Sequence, residues 1–291
     1  NEYLKGKLKT SEVFDVSLTA RYFALTDLLQ ALGANTWYDM RFYFDPISAR
    51  LIPIGYDAQI PLVLEGRKLN IDNNTLNLFD DPIFLREYIF QLKRITEDNY
   101  LKVFLKKISK ELNEELLTIN KSFPFLRFDS EELFKNSDYI KNRLSPLNPL
   151  GIKSIEISEN KQLITLKLFN KTKFPIKLIN VIYNGFVYQP KSNDLIPFQN
   201  KFKRVLDYKI VLIANQKELN NKKDIIKKDL KNNIENDTLL IPIKIIYEIE
   251  GTESEKTLDL SIFKNVNEVL ISNPYIGKRT KYNKFRLFKI R

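Results

Sequence analysis

Histidine and cysteine are both absent from this sequence of 291 residues. Without cysteine there are no disulfide bonds, no thiolate nucleophile and no zinc site of the usual nitrogen and sulfur type. Without histidine there is no Ser-His-Asp triad and no imidazole base. Any catalysis must therefore use carboxylates, Lys, Tyr, amide or hydroxyl groups, or a metal ion bound by oxygen.

Long apolar runs are also absent. No run approaches the 18 or so residues that a membrane-spanning helix needs. Methionine occurs once, at Met40, inside a dense polar and aromatic motif. Since the sequence begins with Asn1 rather than Met, we expect further sequence upstream of it.

Charge is distributed unevenly along the chain. The formal net charge is +11, and residues 151–291 carry that whole excess, whereas residues 1–150 are nearly neutral. The length fits about two domains. The segment Ser145–Gly151 is rich in helix and strand breakers and predicts the boundary between them, which gives domains at 1–145 and 151–291.

The first half is mainly helical by its apolar periodicity. Two short apolar runs, Arg41–Phe44 and Leu51–Ile54, flank a segment of turn formers and predict a β-hairpin. Helices are predicted over residues 17–32, from Asp80-Asp81-Pro82 onward, over 101–119 and over 131–144.

The second half has the texture of β-strands. Short β-rich runs alternate with turn residues, and Asn184-Gly185 between two such runs is a strong hairpin signal. Strands at this spacing predict a β-sandwich. The predicted fold class is therefore α+β, with an insertion of undetermined structure at Asn220–Asn236.

Polar residues flank the predicted hairpin on both sides. The segment Gly33–Arg41 contains Asn35 and Asp39, and Asp57 follows the second strand. This order of helix, polar loop, hairpin and aspartate is typical of protein-kinase-like C-lobes, in which the second Asp binds metal. Carboxylate and amide oxygens are the ligands that Mg²⁺ prefers.

Simpler roles for the same aspartates stay open. Asp57 fits the cap of a turn equally well. Asp39 fits an ion pair with Arg41 or Arg50. The spacing alone does not choose between these roles and metal binding.

Longer stretches of the sequence resemble the CotH kinase family, a family of atypical protein-kinase-like proteins. The resemblance covers about residues 15–120 and leaves the second half unexplained. The stretches that carry it are Ala20–Leu29, Arg41–Pro46, Leu51–Asp57 and Leu78–Phe84, with Tyr88, Leu92, Arg94 and Asn99–Leu101.

The resemblance implies phosphorylation of serine or threonine in a partner protein, dependent on ATP and Mg²⁺. Asp57 falls on the metal-binding Asp of the family, and Asp39 falls where many relatives carry the Asn of the catalytic loop. Asn35 lies near the position of the catalytic base, but it has no carboxylate. The Lys–Glu pair of an ATP-binding N-lobe is not recognisable before residue 15, so we expect it upstream of Asn1.

Several neighbouring features favour structural roles. Asp27 lies inside a predicted helix and fits an ion pair with Arg21 or a lysine. The apolar stripe over 101–119 predicts core packing. Four aromatic residues in or near the polar loop also favour the core over a ligand platform: Trp37, Tyr38, Phe42 and Tyr43.

The C-terminal segment 274–291 interleaves basic with aromatic residues. Such a pattern suits nucleic acid, anionic lipid or an acidic surface polymer. Strict alternation of basic and apolar residues over Lys284–Arg291 instead favours an edge strand. Because no nucleic-acid-binding module is recognisable, nucleic acid is the weaker hypothesis.

Two functions follow from the sequence. The first is the C-terminal portion of a CotH-like kinase with Asp39 and Asn35 as catalytic residues, and with Asp57 and Asp39 holding Mg²⁺ and ATP. The second is a catalytically degenerate CotH-like protein that binds a partner protein or an anionic polymer at the cell envelope. Export or an envelope location is favoured over the cytoplasm, and the oligomeric state is not determined.

Overall fold

The computed structural model describes residues 2–36, 38–56, 66–157, 163–183, 185–193, 195–198, 208–214, 239–265, 268–272 and 288–289. The chain divides into two compact units, Asn1–Ser145 and Pro146–Arg291. The first is helical with one hairpin and the second is built on strands. The predicted α+β class is therefore confirmed.

The described part of unit 1 has six helices, two 3₁₀ segments and one hairpin. The strands β1 (Arg41–Asp45) and β2 (Arg50–Ile54) form the predicted hairpin. The 3₁₀ segments are Leu32–Asn35 and Thr75–Asp80. The helices are α1 (Thr10–Val13), α2 (Val16–Leu29), α3 (Asn70–Asn73), α4 (Pro82–Ile95), α5 (Tyr100–Asn120) and α6 (Ser130–Arg143).

Sequence signals account for the start of the two central helices. The Asp15 side chain accepts a hydrogen bond from Leu18 N at 2.8 Å and caps α2. The Asp81 side chain accepts one from Ile83 N at 2.9 Å, with Pro82 in the first position of α4. Both caps satisfy backbone donors that a helix leaves unpaired at its N-terminus.

The core of unit 1 is an aromatic cluster between α2, α4 and the 3₁₀ segment that precedes α4. Phe23, Phe79, Phe84 and Tyr88 are all essentially inaccessible to solvent. The rings of Phe79 and Tyr88 lie 4.7 Å apart between centroids, and those of Phe23 and Phe79 lie 5.8 Å apart, both edge to face. Edge-to-face contact adds to the free energy gained by burying these large rings.

The prediction that the stripe over 101–119 packs in the core is wrong for most of α5. Only Leu101 is buried in this helix, while Val103 and Leu117 expose about two thirds of their surface. Apolar residues at helical spacing indicate an amphipathic helix, but they do not reveal which surface covers its apolar face.

The described strands of unit 2 form one antiparallel sheet of ten strands, in the order β12-β11-β10-β9-β5-β6-β8-β4-β3, with β7 paired to β5. The sheet is curled, and β3 and β11 near its two ends lie in contact. The strands are β3 (Leu150–Ile157), β4 (Leu163–Asn170), β5 (Ile176–Tyr183), β6 (Phe186–Pro190), β7 (Leu195–Ile196), β8 (Tyr208–Ala214), β9 (Leu239–Ile249), β10 (Glu255–Asn265), β11 (Glu268–Ser272) and β12 (Phe288–Lys289).

Alternation sets which face of this sheet is buried. Ile164, Leu166 and Leu168 on β4 are inaccessible, and the residues between them are partly exposed. The predicted hairpin connects β5 to β6, with Tyr183 opposite Phe186 and Gly185 at a φ of 76°. Glycine suits this position because a positive φ costs it no steric clash.

Two sequence predictions fall partly or wholly beyond these residues. Phe288–Lys289 form β12 at one end of the sheet, as expected for an edge strand. The rest of the segment 284–291 lies outside the described residues, as does the insertion Asn220–Asn236. Among the described residues, no helix is long and apolar enough to cross a lipid bilayer.

A crowded glycine in β3 generates a prediction about the stability of the sheet. Gly151 pairs with Phe169 on β4, and a Cβ added at Gly151 would lie 2.2 Å from Phe169 Cζ. Gly151→Ala must therefore displace the ring, and we expect it to lower the free energy of unfolding by about 1–3 kcal/mol. Urea denaturation followed by circular dichroism measures this loss.

Two comparisons isolate the crowding by Phe169. In a Phe169→Ala background the Gly151→Ala change should cost much less, because the ring that the new methyl group would meet is gone. Gly33→Ala adds the same group where no atom lies within 4 Å. An equal cost of Gly151→Ala in both backgrounds would contradict this explanation.

Candidate functional site

The hairpin brings the chain back to the polar loop that precedes it. Arg41 at the start of β1 is paired with Ile54 at the end of β2. The chain therefore leaves the hairpin beside Arg41, where it entered. Arg41 is two residues after Asp39. This is the doubling back that the sequence predicts around the candidate site.

Arg41 joins the two ends of the hairpin. Its guanidinium donates to the carbonyl oxygen of Tyr38 at 2.6 Å and lies 4.8 Å from the centre of the Tyr56 ring. A guanidinium over an aromatic face is attracted by the ring quadrupole. Tyr56 is thus held next to the backbone of the polar loop.

The loop itself closes on a short turn at Thr36–Met40. The amides of Asp39 and Met40 both donate to the carbonyl oxygen of Thr36, at 3.0 and 3.1 Å. The Thr36 hydroxyl donates to Oδ2 of Asp39 at 2.5 Å. The half-buried Asp39 carboxylate is therefore oriented by its own loop.

The alternative ion pairs of Asp39 are not formed. Across the residues that the structure describes, neither Arg41 nor Arg50 lies within ion-pair distance of Asp39. The two guanidinium contacts that Arg41 makes through Nη1 are to the carbonyl oxygens of Tyr38 and Met40. Arg41 serves the backbone of the loop rather than the Asp39 carboxylate.

Asn35 lies in the interior of unit 1, with 2% of its surface exposed. Its Nδ2 donates to Thr26 Oγ1 at 2.6 Å and to Asn70 Oδ1 at 2.8 Å. Its Oδ1 is buried without a hydrogen-bond partner among the described residues. The side chain thus anchors the start of the loop to α2 and α3 and leaves one amide oxygen over.

Asn35 belongs to a buried network that we call the polar cluster, formed by Thr26, Asp27, Asn35, Asn70 and Tyr88. Asp27 is completely buried, and its Oδ1 accepts from the backbone N of Asn70 at 2.7 Å and from its Nδ2 at 2.9 Å. The Tyr88 hydroxyl donates to the other oxygen of Asp27. The cluster joins α2, α3, α4 and the polar loop through hydrogen bonds inside the core.

Burial dominates the electrostatics of this cluster. It raises the pKa of Asp27 from 3.8 to about 8, although the hydrogen bonds from Tyr88 and Asn70 oppose the rise. Burial, followed by the nearby Asp27 carboxyl, raises the pKa of the Tyr88 hydroxyl well above its ordinary value. A carboxyl group is costly to ionise in the interior, because desolvation penalises its charged form.

The partners of Asp27 are not the ones that the sequence predicts. Its carboxyl oxygens are hydrogen-bonded by Tyr88 and Asn70 rather than paired with Arg21, whose side chain is exposed. Asp72 and Arg143, which form an ion pair with Nη2 2.9 Å from Oδ1, act on Asp27 only electrostatically. The structural role favoured for Asp27 agrees with these contacts, but they come from other elements.

The aromatic residues near the loop differ in their exposure to solvent. Tyr38 and Tyr43 expose 63% and 54% of their surface, so the expectation of core packing is wrong for them. Phe42 is half-buried against Phe14, with ring centroids 5.1 Å apart. Phe42 and Tyr43 are neighbours on β1 and therefore point to opposite faces of the hairpin, whereas Tyr38 lies in the loop before it. Trp37 lies outside the described residues.

The predicted site residues meet only in part within the described structure. Asn35 and Asp39 lie at opposite ends of one short loop, the first buried and the second half-buried. Asp57 lies outside the described residues. Within the described ranges, no group of three or more acidic side chains is arranged to hold a metal ion.

Sequence reasoning missed Asn70 and the role of Tyr88 in the cluster. Both lie far along the chain from Asp27, and no local pattern connects them. The one available signal was a carboxylate on the apolar side of α2, because such a group must find hydrogen-bond partners when it is buried.

Comparisons of the chain with protein-family models, with curated proteins and with solved structures find no match.

The buried carboxyl generates a prediction about pH. The pKa of Asp27 is higher in the folded protein than its ordinary value, so folding favours the protonated form. The free energy of unfolding is therefore not reduced by this carboxyl below about pH 4. As the pH rises towards about 8, ionisation in the unfolded state lowers the free energy of unfolding by at most roughly 1.4 kcal/mol per pH unit. Asp27→Asn cannot ionise, so its unfolding free energy should fall less over this range.

Urea denaturation of both proteins at pH 5, 6, 7 and 8 checks this expectation. The wild-type protein should lose stability relative to Asp27→Asn as the pH rises. Asp39→Asn removes a carboxylate from the half-buried loop and serves as the matched control. An unchanged pH dependence in Asp27→Asn would show that Asp27 ionises freely in the folded state.

Proposed function

We propose that this chain is the C-terminal portion of a CotH-like atypical protein kinase that transfers phosphate from ATP to serine or threonine of a partner protein. The proposal rests on the sequence resemblance over residues 15–120. It includes the finer description of the fold, in which unit 1 is a kinase-like C-lobe and unit 2 is a β-sandwich.

One observation supports it most. The hairpin pairs Arg41 with Ile54, and Arg41 lies over the ring of Tyr56, the residue before Asp57. This arrangement agrees with a site in which residues from the polar loop and from the end of the hairpin act together.

The donor groups suit a magnesium ion in their chemistry. Asp39 supplies a half-buried carboxylate whose second oxygen is left over by the Thr36 contact. Hard oxygen ligands of this kind are those that Mg²⁺ prefers. In the proposal Asp39 and Asp57 would hold the ion, and a bound Mg²⁺ would neutralise charge on the phosphates of ATP.

Asn35 contributes by position. Its amide nitrogen anchors the loop to Thr26 and Asn70, so that Asp39 stays at a set distance from the core. It cannot accept the proton of a substrate hydroxyl, since it has no carboxylate. Asp39 is the one carboxylate of the polar loop, so in this proposal it would serve either as the base or as the magnesium ligand, and not plainly as both.

A second candidate is a catalytically degenerate CotH-like protein that binds a partner protein or an anionic polymer at the cell envelope. The burial of Asn35 favours it, because the position nearest the family's base holds a neutral side chain directed into the core. The positive charge of the second half agrees with an anionic partner.

Binding of ATP separates the two candidates. Asp57→Ala and Asp39→Ala should each weaken binding of ATP in the presence of Mg²⁺ by roughly tenfold or more, because loss of a metal ligand removes a charge-assisted contact. Isothermal titration of the full-length protein that contains this chain, with and without Mg²⁺, measures the effect.

Asp45→Ala is the matched control, since Asp45 is a partly exposed carboxylate that caps the turn of the same hairpin. Mg²⁺-dependent ATP binding that the two site variants reduce and Asp45→Ala preserves supports the kinase. Equal ATP binding by all four proteins, or none by the wild type, removes the kinase and leaves the binding protein.

A further inference from the structure

The outward face of the sheet in unit 2 carries an opposed pair of lysines. Lys167 on β4 is paired directly with Lys209 on β8. Both alternate with buried neighbours, Leu166 and Leu168 on β4 and Ile210 on β8, so both side chains leave the sheet on its solvent side. Like charges directly opposite each other on neighbouring strands are destabilising. This pair therefore weakens the sheet of the free protein.

Other lysines of the same sheet face acidic residues. Lys177 on β5 is paired with Glu248 on β9. Lys244 on β9 is paired with Asp259 on β10, with Nζ 3.7 Å from Oδ1. Within the described residues, neither lysine of the opposed pair forms an ion pair. The opposed pair thus differs from these lysines in lacking a compensating charge across the strands.

Two further lysines extend the opposed pair into a row across the strands. Just after β6, the amide of the exposed Lys191 donates to the carbonyl oxygen of Val211 on β8 at 3.0 Å. On the other side of β4, a bulge in β3 inserts Lys153 between the partners of Leu168 and Lys167. One lysine thus comes from each of four segments that are neighbours in the sheet. We call these residues the lysine track: Lys153, Lys167, Lys209 and Lys191.

Acidic residues are sparse on the strands that form the track. The strands β4, β6 and β8 contain none, and Glu156 of β3 is paired with Thr165. Neighbouring strands lie about 4.8 Å apart, so the track spans about 14 Å. A single small anion reaches two of its lysines, whereas a linear chain of anionic groups meets all four.

We propose that the lysine track binds a linear anionic polymer that carries phosphate groups and lies across the four strands. This inference rests on the second candidate function, a protein that binds an anionic polymer at the cell envelope, and it names the surface and the chemistry of that contact. The polymer supplies the opposite charge that the sheet does not place beside Lys167 and Lys209. Binding therefore relieves the repulsion that the free protein carries.

The use of lysine favours phosphate over carboxylate as the anionic group. Arginine matches a planar carboxylate through two parallel hydrogen bonds, whereas lysine acts as a compact point charge and is a common ligand of phosphate. All four cations of the track are lysines. A phosphate group, which offers oxygen atoms in several directions, needs no planar fork.

The neighbourhood of the track disfavours nucleic acid as the polymer. Single-stranded nucleic acid is held by aromatic side chains on which its bases stack. Among the described residues on the outward face of these strands, Phe169 is the aromatic one. Its ring lies against Gly151, and its centroid is 5.7 Å from Nζ of Lys171. The ring is thus already engaged within the sheet, and the track offers charge without a stacking surface.

Removing the opposed pair tests the track in the 291-residue chain. The double variant Lys167→Thr/Lys209→Thr should bind a short linear polyphosphate roughly tenfold or more weakly than the wild type, because two phosphate contacts are lost. The slope of log affinity against log salt concentration should also fall by about two, roughly one for each lysine. Fluorescence anisotropy of end-labelled polyphosphate at several salt concentrations measures both quantities.

Lys177→Thr/Lys244→Thr is the matched control. It removes the same net charge from the same sheet, but from lysines that face acidic residues. Its affinity for polyphosphate should stay near that of the wild type. Urea denaturation of the free proteins is a second readout. The track variant should unfold at a higher urea concentration than the wild type, because the repulsion is removed, and the control variant should not.

Two other polymers identify the chemistry of the partner. Poly-glutamate presents carboxylates, and single-stranded DNA presents phosphates with bases. Polyphosphate that binds more tightly than either, and that the track variant binds more weakly while the control does not, supports the proposal. Single-stranded DNA that binds more tightly than polyphosphate through the same lysines makes the partner a nucleic acid and overturns it.

The remaining outcomes separate failure of the track from failure of the candidate function. Equal binding of polyphosphate by the wild type and the track variant overturns the track and leaves the binding protein. Poly-glutamate bound in place of polyphosphate overturns the phosphate chemistry and also leaves the binding protein. If the wild type binds none of these polymers, the track and the anionic-polymer function are both overturned.

Discussion

A single completely buried carboxyl group sets the constraint on which unit 1 depends. Asp27 lies on α2 within an apolar core, where its polar atoms need partners. Tyr88 from α4 and Asn70 from α3 supply them. Because each of these partners comes from a different element, satisfying one carboxyl fixes the mutual placement of three helices.

The polar loop is built on the same network. Asn70 accepts from Asn35 with the amide oxygen that its contacts to Asp27 leave over, so the loop is tied to the carboxyl through one shared residue. The loop then turns at Thr36–Met40, where the Thr36 hydroxyl donates to the Asp39 carboxylate. A buried network of this kind orients a nearby functional group without touching a ligand.

Helix α5 contrasts with this buried network, because few of its side chains are buried. Its polar residues are exposed and its apolar stripe is partly open, so the helix gains little from the core beyond Leu101. Its charges oppose its own dipole.

Much of the fold was predictable from local patterns. The start of α4 at Asp81-Pro82, the hairpin between Arg41 and Ile54, and the turn before Phe186 each depend on a few neighbouring residues, whose caps, alternation and turn chemistry act over short range. The order of loop and hairpin at the candidate site was predictable for the same reason. How the strands of unit 2 are ordered was not, since β5 pairs with β9 across a long stretch of chain.

The sequence by itself determined the four longer helices, the two hairpins, the excess of positive charge in the second half, and the exclusion of histidine and cysteine chemistry. Only the tertiary structure decided which side chains meet. It placed Asn35 in the core beside Asn70, hydrogen-bonded Asp27 to Tyr88, and left the stripe of α5 open. The physical reason is that periodicity identifies an apolar face or a buried polar group, whereas its partner comes from a distant segment that only folding brings near.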